Sequence, residues 1–284
     1  VREIKKLDSN FSKQINALVS KAFGYLPPHT FFDDFPVWDD ESVIRLGILE
    51  NQELISHVGV RLTQMKTSQT LDRVALIGAV ATDARFRGQG LSTSLLREAI
   101  QISENQNCSF SILWGSEHEF YAKLGFTLQG VQARAPLSSL ELNLKNFPLR
   151  EIKTGLTEKI FKSLGSQKNG IALTEKDRSW FFQHKTVHWF YLEEPFAFVG
   201  YERGLDLPQH VHEFGGDIAG IQKILFQIFS AQPNAQIIGT HAALAQLGFL
   251  EEAIIEEHLC LARPHSALKP KWNDEFWISG LSAC

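Results

Sequence analysis

Cysteine is scarce in this sequence and so is methionine, with three of the first (Cys108, Cys260 and Cys284) and one of the second in 284 residues. Three thiols, odd in number and far apart, supply neither a disulfide framework nor the paired spacing of a zinc knuckle. The sequence therefore reads as a protein of a reducing cytoplasm with no metal. Excess positive charge is also absent: 28 Lys and Arg against 32 Asp and Glu leave a formal net charge of -4. No general field is on offer to a nucleic acid or an anionic membrane. No apolar run approaches the roughly 20 residues that cross a bilayer, and the stretch VREIKKLDSNFSKQ lacks the apolar core of a signal peptide. The expectation is a soluble, cytoplasmic protein with no nucleic-acid and no membrane partner. What the chain does have is apolar mass, 44% hydrophobic and 11% aromatic, at a length that suits one large domain or two ordinary ones.

Residues 10–23 place Phe11, Ile15, Leu18, Val19 and Phe23 at helical spacing. The next stretch, GYLPPHTFFDDFPVWDDES, is proline-rich, aromatic and acidic, and reads as an irregular loop. SVIRLGILE, LISHVGVRLTQMK and RVALIGAVAT follow as antiparallel strands. After ARFRGQG, a helix carries Leu95, Leu96, Ala99 and Ile102 on one face, then comes a strand SFSILWG and a short helical stretch EFYAKLGF. Beyond PLSSLELNLKNFPLREIKTG the order repeats: strands FAFVGYERG and QHVHEFGG, a helix DIAGIQKILFQIFSA, a strand AQIIGT, a helix HAALAQLGF and a strand EEAIIEEHLCLAR. Leu124–Phe126 matches Leu247–Phe249. The chain reads as an internal duplication of roughly 130 residues per copy, divided into 1–148 and 149–284.

The glycine loop carries the chemistry. A strand that runs through RFRGQG into a helix leaves the first helical N–H groups without intrahelical partners, all pointing to the loop. Gly88 and Gly90 lack Cβ atoms and tolerate positive φ, and Arg85 and Arg87 add charge, so the loop is either a plain strand-to-helix turn or an anion site. A P-loop is excluded because no lysine follows Gly90, and a dinucleotide fingerprint because the preceding strands read as antiparallel.

Arg85-Phe86-Arg87-Gly88-Gln89-Gly90, placed between a strand and a helix, resembles the pyrophosphate-binding segment R/Q-x-x-G-x-G/A of the GNAT superfamily of N-acetyltransferases, and EFYAKLGF resembles its second signature. The second half lacks the arginines, and Asp217 follows Gly215-Gly216. It resembles a degenerate GNAT copy, as in the tandem mycothiol-synthase-like and enhanced-intracellular-survival-type acetyltransferases, here without a sterol-carrier-like domain. The fold implied is α/β (α+β), with two GNAT-like, mainly antiparallel sheets flanked by helices.

The resemblance implies acetyl-CoA as co-substrate. Val80 and Ala81 would pair with pantetheine, and the amides of Arg87, Gly88, Gln89, Gly90 and Leu91 would hold the pyrophosphate beside the Ser92 hydroxyl. Tyr121 matches the family's general acid. A lysine-like amine has a pKa of about 10.4 and must lose a proton to attack; Glu117 and His118, with Glu119, are the candidate bases by their nearness in sequence, and a chain-end carboxylate on Cys284 is another. His29, Asp33, Asp34 and Trp38 in the acidic loop are the candidate acceptor contacts. The expected activity is acetyl transfer to the primary amine of a small, cationic acceptor. Protein or peptide acetylation and a non-catalytic acyl-CoA sensor stand as alternatives. The acyl length and assembly into a homo-oligomer are left open by the sequence.

Overall fold

The computed structural model describes residues 2–66, 70–140, 153–155, 157–167, 169–265 and 278–282. The first half begins with strand β1 (Ile4–Leu7) and helix α1 (Ser12–Phe23), whose Ile15, Leu18 and Val19 are buried at the expected spacing. Helix α2 (Phe31–Asp34) and strands β2 (Val43–Glu50), β3 (Glu53–Lys66) and β4 (Leu71–Thr82) follow. Helix α3 (Leu91–Asn105), strand β5 (Phe110–Leu113), helix α4 (His118–Ala122) and strand β6 (Thr127–Pro136) complete it. The second half holds strand β7 (Lys153–Thr154), helix α5 (Glu158–Gly165), strand β8 (Gly170–Ile171), helix α6 (Arg178–Phe181) and strands β9 (His188–Leu192), β10 (Ala197–Arg203) and β11 (Leu207–Gly216). It closes with helix α7 (Ile218–Ala231), strand β12 (Gln236–Gly239), helix α8 (His241–Gln246) and strand β13 (Ile255–Pro264).

The two expected sheets are joined edge to edge. Among the described residues one 13-stranded sheet runs β1-β2-β3-β4-β5-β13-β6-β12-β11-β10-β9-β7, with β8 on the far end of β3. The halves exchange strands: β13 lies between β5 and β6, and β6 pairs with β12 at Ile237–Ala135. All pairings are antiparallel except β4 with β5 and β11 with β12, the two places where a helix crosses over. The boundary expected at 148/149 lies outside the described residues.

Helices α1 and α3 cover opposite faces of the first-half strands. Leu91, Leu95, Leu96 and Ala99 of α3 pack on Leu46, Ile55, Val58 and Ile77, while α1 packs with Leu54, Leu76 and Ile112 on the other face. That second core is shared between the halves, since Trp38, Phe31 and Phe35 join Trp180, Phe181 and Phe198 in it. A third core lies under α7, against Ala133, Ala135, Val199 and Val211.

Three local expectations change. The acidic loop is not irregular: it forms α2 and a 3-10 turn over Pro36–Asp39, because Thr30 and Asp33 build a capping box that satisfies the first N–H groups. β13 starts at Ile255, after a 3-10 turn at Glu251–Ala253. In EFWISGLSAC, where Phe276, Trp277 and Ile278 read from the sequence as a strand closing the second half, Ile278 is buried but lies in no strand; Phe276 and Trp277 are outside the described residues.

Candidate active site

β4 and β5 pair only from Val74 to Leu76 against Phe110 to Ile112. Beyond Leu76 they part, and a cleft of about 420 Å³ opens between Gly78–Thr82 on one side and Trp114–Glu117 on the other. The edge of β4 is irregular here. Its pairing with β3 passes from Gly59–Gly78 to His57–Ala81, so Ala79 and Val80 together oppose Val58 in a β-bulge. Ala79 has φ +51°, a left-handed conformation that costs a residue with a Cβ about 1–2 kcal/mol.

At the outer end of the cleft stands the N-terminus of α3. Gly90 is its cap, at φ +74°, and no side chain caps the helix; the first intrahelical bond runs from the Ser94 N–H to the Gly90 carbonyl. The N–H groups of Leu91, Ser92 and Thr93 therefore face the loop with the positive end of the helix dipole behind them. Gly88 is at φ +77°, and a Cβ on either glycine would meet nothing within 4 Å. Positive φ rather than space is what requires glycine at these two positions.

The loop side chains divide. Arg87 lines the cleft, and its Nε donates to the Thr82 carbonyl at 3.4 Å. Arg85 does not: it pairs with Asp83 (Nε–Oδ1 3.0 Å) and with Glu53, and so braces the loop from behind. Those hydrogen bonds from Arg85 hold the Asp83 carboxyl well below the usual range. The Gln89 side chain accepts from Arg2 at 2.7 Å, leaving its backbone to the cradle. Ser92 and Thr82 share a hydroxyl hydrogen bond of 2.6 Å, and Thr82 another of 2.7 Å with Ser56, a chain that ties α3 to β4 and β3.

Tyr121 reaches the cleft from α4, 8% exposed, with edge-on contacts to Phe120 and Phe126. A Cβ on Gly115 would sit 2.8 Å from its Cε2 and 3.3 Å from its hydroxyl, so the glycine after Trp114 makes room for the phenol. Glu117 lines the same cleft. His118 instead lines a second cavity, of about 460 Å³, which shares Trp114 and Gly115 with the first. This second cavity lies between the halves, walled by Leu207, Ile238, Leu259 and Ile278, with Asp206 and Glu257 at its edge. Sequence reasoning missed it because its walls are contributed by both halves. Glu119 is exposed and lines neither cavity.

The four residues expected to bind the acceptor line neither cavity. Trp38 is 1% exposed, packed over Gly59. Asp34 is fully buried, and its carboxylate accepts from Tyr25 Oη (2.6 Å), Thr186 Oγ1 (2.7 Å), the Leu205 N–H (3.3 Å) and His29 Nε2 (2.9 Å). Asp33 closes the capping box and pairs with Lys185 at 2.7 Å. Asp33 and Asp34 thus latch one half to the other with their carboxylates. Cys284 lies outside the described residues, but Ile278 and Gly280 stand at the second cavity, and Ser279 donates to Glu213 at 2.6 Å.

The corresponding loop of the second half is closed. Asp217 caps α7 by accepting from the Gly220 N–H at 2.9 Å, which occupies one of the donors that an anion would need and sets a carboxylate beside the others. Gly216 and Gly220 lie so tightly against Phe196 and Ala197 that a Cβ on either would collide with them.

Residues 3–129 match the family described as an acetyltransferase (GNAT) domain. Several solved structures share the fold over nearly the whole chain. A conserved protein from Enterococcus faecalis V583 is 16% identical with a TM-score of 0.66, the alignment covering 93% of this chain and 73% of that one. A GCN5-related N-acetyltransferase from Anabaena variabilis is 13% identical, covering 94% and 73%, with a TM-score of 0.65. Eis1 from Mycobacterium abscessus is 14% identical, covering 93% and 74%, with a TM-score of 0.61. No curated protein matches the chain significantly.

Proposed function

We infer, from the premise that residues 3–129 are a GNAT acetyltransferase domain and the chain an acyltransferase, that it moves an acetyl group from acetyl-CoA to the primary amine of a small acceptor. The observation that carries this reading is the cleft between parting strands that runs from an uncapped helix N-terminus to a buried tyrosine. The amides from Arg87 to Leu91 hold the pyrophosphate, with Arg87 adding charge, and the backbone of Val80 and Ala81 pairs with pantetheine. The thioester then lies near Tyr121. The amine nitrogen attacks the carbonyl carbon, the oxyanion is met by the Val80 N–H, and the C–S bond breaks as the Tyr121 hydroxyl protonates the departing sulfur. The amine loses its proton to Glu117 in the cleft or to His118 at its border.

The acceptor approaches from the cavity between the halves, which meets the cleft at Trp114 and Gly115. Its apolar walls, with the Glu257 carboxylate that also accepts from Gln132 at 2.7 Å, suit an amine carried on an apolar body, while Asp206 is already paired with Arg203 in the same lining. In this reading the chain is a tandem of a working and a degenerate GNAT unit, the second unit supplying part of the acceptor wall.

The test is calorimetry with acetyl-CoA beside a thiol-release assay with polyamines, aminoglycosides, amino acids and lysine peptides, on wild type and Tyr121→Phe. Turnover with one small-amine class, slowed in the variant at unchanged acetyl-CoA affinity, is the expected result. Tight binding without turnover would make the chain an acyl-CoA sensor, preference for peptides would move the acceptor to a protein, and absence of binding would refute the cradle.

A further inference from the structure

His57 was not singled out by any motif, yet β3 brings it directly behind the bulge of β4. The residue is 1% exposed, and its Nδ1 lies 2.9 Å from the carbonyl oxygen of Ala79. A carbonyl only accepts, so Nδ1 carries the hydrogen and Nε2 is bare. Nε2 is buried with no partner, which leaves the bond to Ala79 as the ring's one hydrogen bond among the described residues. Burial, reinforced by the nearby Arg45 guanidinium, pulls the imidazole pKa down to about 4. The ring is thus neutral at ordinary pH and fixed in a single tautomer. Enclosing a histidine for one hydrogen bond is costly unless that bond does something that an aliphatic side chain would not.

The Ala79 carbonyl and the Val80 N–H belong to one peptide unit, which is trans. In a planar trans peptide the two bonds point in opposite directions. A donor that fixes the carbonyl therefore fixes the N–H as well, away from the His57 ring, on a residue that lines the cleft. The same contact holds Ala79 at φ +51°, where alanine would not stay unaided.

We infer that His57 is a positioning residue of the transfer reaction: by donating from Nδ1 to the Ala79 carbonyl it holds the β4 bulge and aims the Val80 N–H at the thioester carbonyl of the bound acyl group. The inference rests on the reading of the cleft as an acetyl-CoA site. His57 itself touches no substrate and takes no proton.

The experiment uses infrared difference spectra of acetyl-CoA labelled with 13C at the thioester carbonyl, bound to wild type, His57→Leu and His57→Asn, with calorimetry for acetyl-CoA and CoA. Asparagine places an amide N–H near the position of Nδ1; leucine fills the space without a donor. In wild type the labelled stretch shifts to lower wavenumber on binding. In His57→Leu the shift is lost while both ligands bind within about threefold of wild type, and in His57→Asn it is largely retained. Turnover follows the same order, with kcat of the leucine variant about 10- to 100-fold down, less than the full 10²–10³ of deleting an oxyanion donor, and the pH profile unmoved. An unchanged carbonyl shift in His57→Leu would overturn the inference. So would equal loss of CoA binding, which marks a merely structural residue, or an asparagine variant as slow as leucine with a displaced pH limb, which marks a proton acceptor. If wild type binds neither ligand, the acetyl-CoA reading falls first and takes this inference with it.

Discussion

Replacing Asp34 by alanine separates two accounts of the acidic loop. If the loop contacts the acceptor, the variant raises the acceptor KM and leaves stability alone. The structure requires the opposite. Asp34 accepts four hydrogen bonds in a site with no exposure, from Tyr25 and His29 in its own half and from Thr186 and the Leu205 N–H in the other. A Cβ on Gly204 would fall inside the carboxylate, so the two halves meet there without a gap for water. Desolvation in this site, followed by the neighbouring Asp34, lifts the Tyr25 hydroxyl far above the usual range, so the phenol remains a donor that needs an acceptor. Hydrogen bonds to a carboxylate are worth about 1.5–3 kcal/mol each and are not additive, and removing one side of a buried polar cluster costs about 3–5 kcal/mol. Against a total of about 5–15 kcal/mol, that is a large share, and at about 2 °C per kcal/mol for a chain of this length it corresponds to a fall in Tm of roughly 5–10 °C. Thermal unfolding, urea titration and acetyl-CoA calorimetry on Asp34→Ala measure it. Lost stability with acetyl-CoA affinity within about threefold of wild type is expected. An unchanged Tm together with a raised acceptor KM would refute the latch.

Gly115→Ala places a methyl 2.8 Å from the Tyr121 ring and should push the phenol off the thioester; kcat falls roughly 10- to 100-fold, as for a misplacement of about 1 Å, while calorimetry shows acetyl-CoA affinity nearly unchanged. His184 has both ring nitrogens buried and its pKa pulled down to about 3, first by burial and then by Arg203 and His212. The unfolded chain, with an ordinary histidine near 6.5, binds the proton that the fold excludes. This group's stability is therefore complete above that value and is lost as pH falls from about 6.5 towards 3, by about 2 kcal/mol between pH 7 and pH 5. His184→Gln abolishes the dependence, so the difference in unfolding free energy between wild type and variant should shrink by that amount in urea titrations at the two pH values; a constant difference would show that the ring is not held neutral.

Features fixed by neighbours in sequence were legible. Gly88 and Gly90 lie where positive φ is needed, and Leu95, Leu96 and Ala99 mark the buried face of α3 within one helical repeat. Tyr121 follows from its signature and lies in the cleft. The acidic loop was misread because an aromatic, acidic composition is the same for a ligand-facing loop and for an interface, and the residues that decide, Thr186 and Leu205, are 152 and 171 positions from Asp34. Arg85 was assigned to the cradle on its charge, whereas Glu53, which draws it to the back of the loop, comes from another strand. Nothing in LISHVGV distinguishes His57 from any polar residue on a strand. Its role depends on a bulge in β4, and a bulge is a relation between two strands that neither sequence contains alone.

The strand exchange ties the second half to the cleft of the first. β5 forms one wall of the cleft, and its outer neighbour is β13, paired at Leu261–Leu113, immediately before Trp114. Without β13 that edge of β5 would present unpaired N–H and C=O groups, and β6 would lose Leu261–Leu128 and the rest of its ladder. The same strand carries Glu257 and Leu259 into the cavity between the halves. The second half therefore borders the splayed strands and walls the cavity between the halves through one element. Asp217, by capping α7, stabilises that half. The two halves form a single sheet, so a substitution in the packing of β13 reaches the cleft of the first half through the edge of β5.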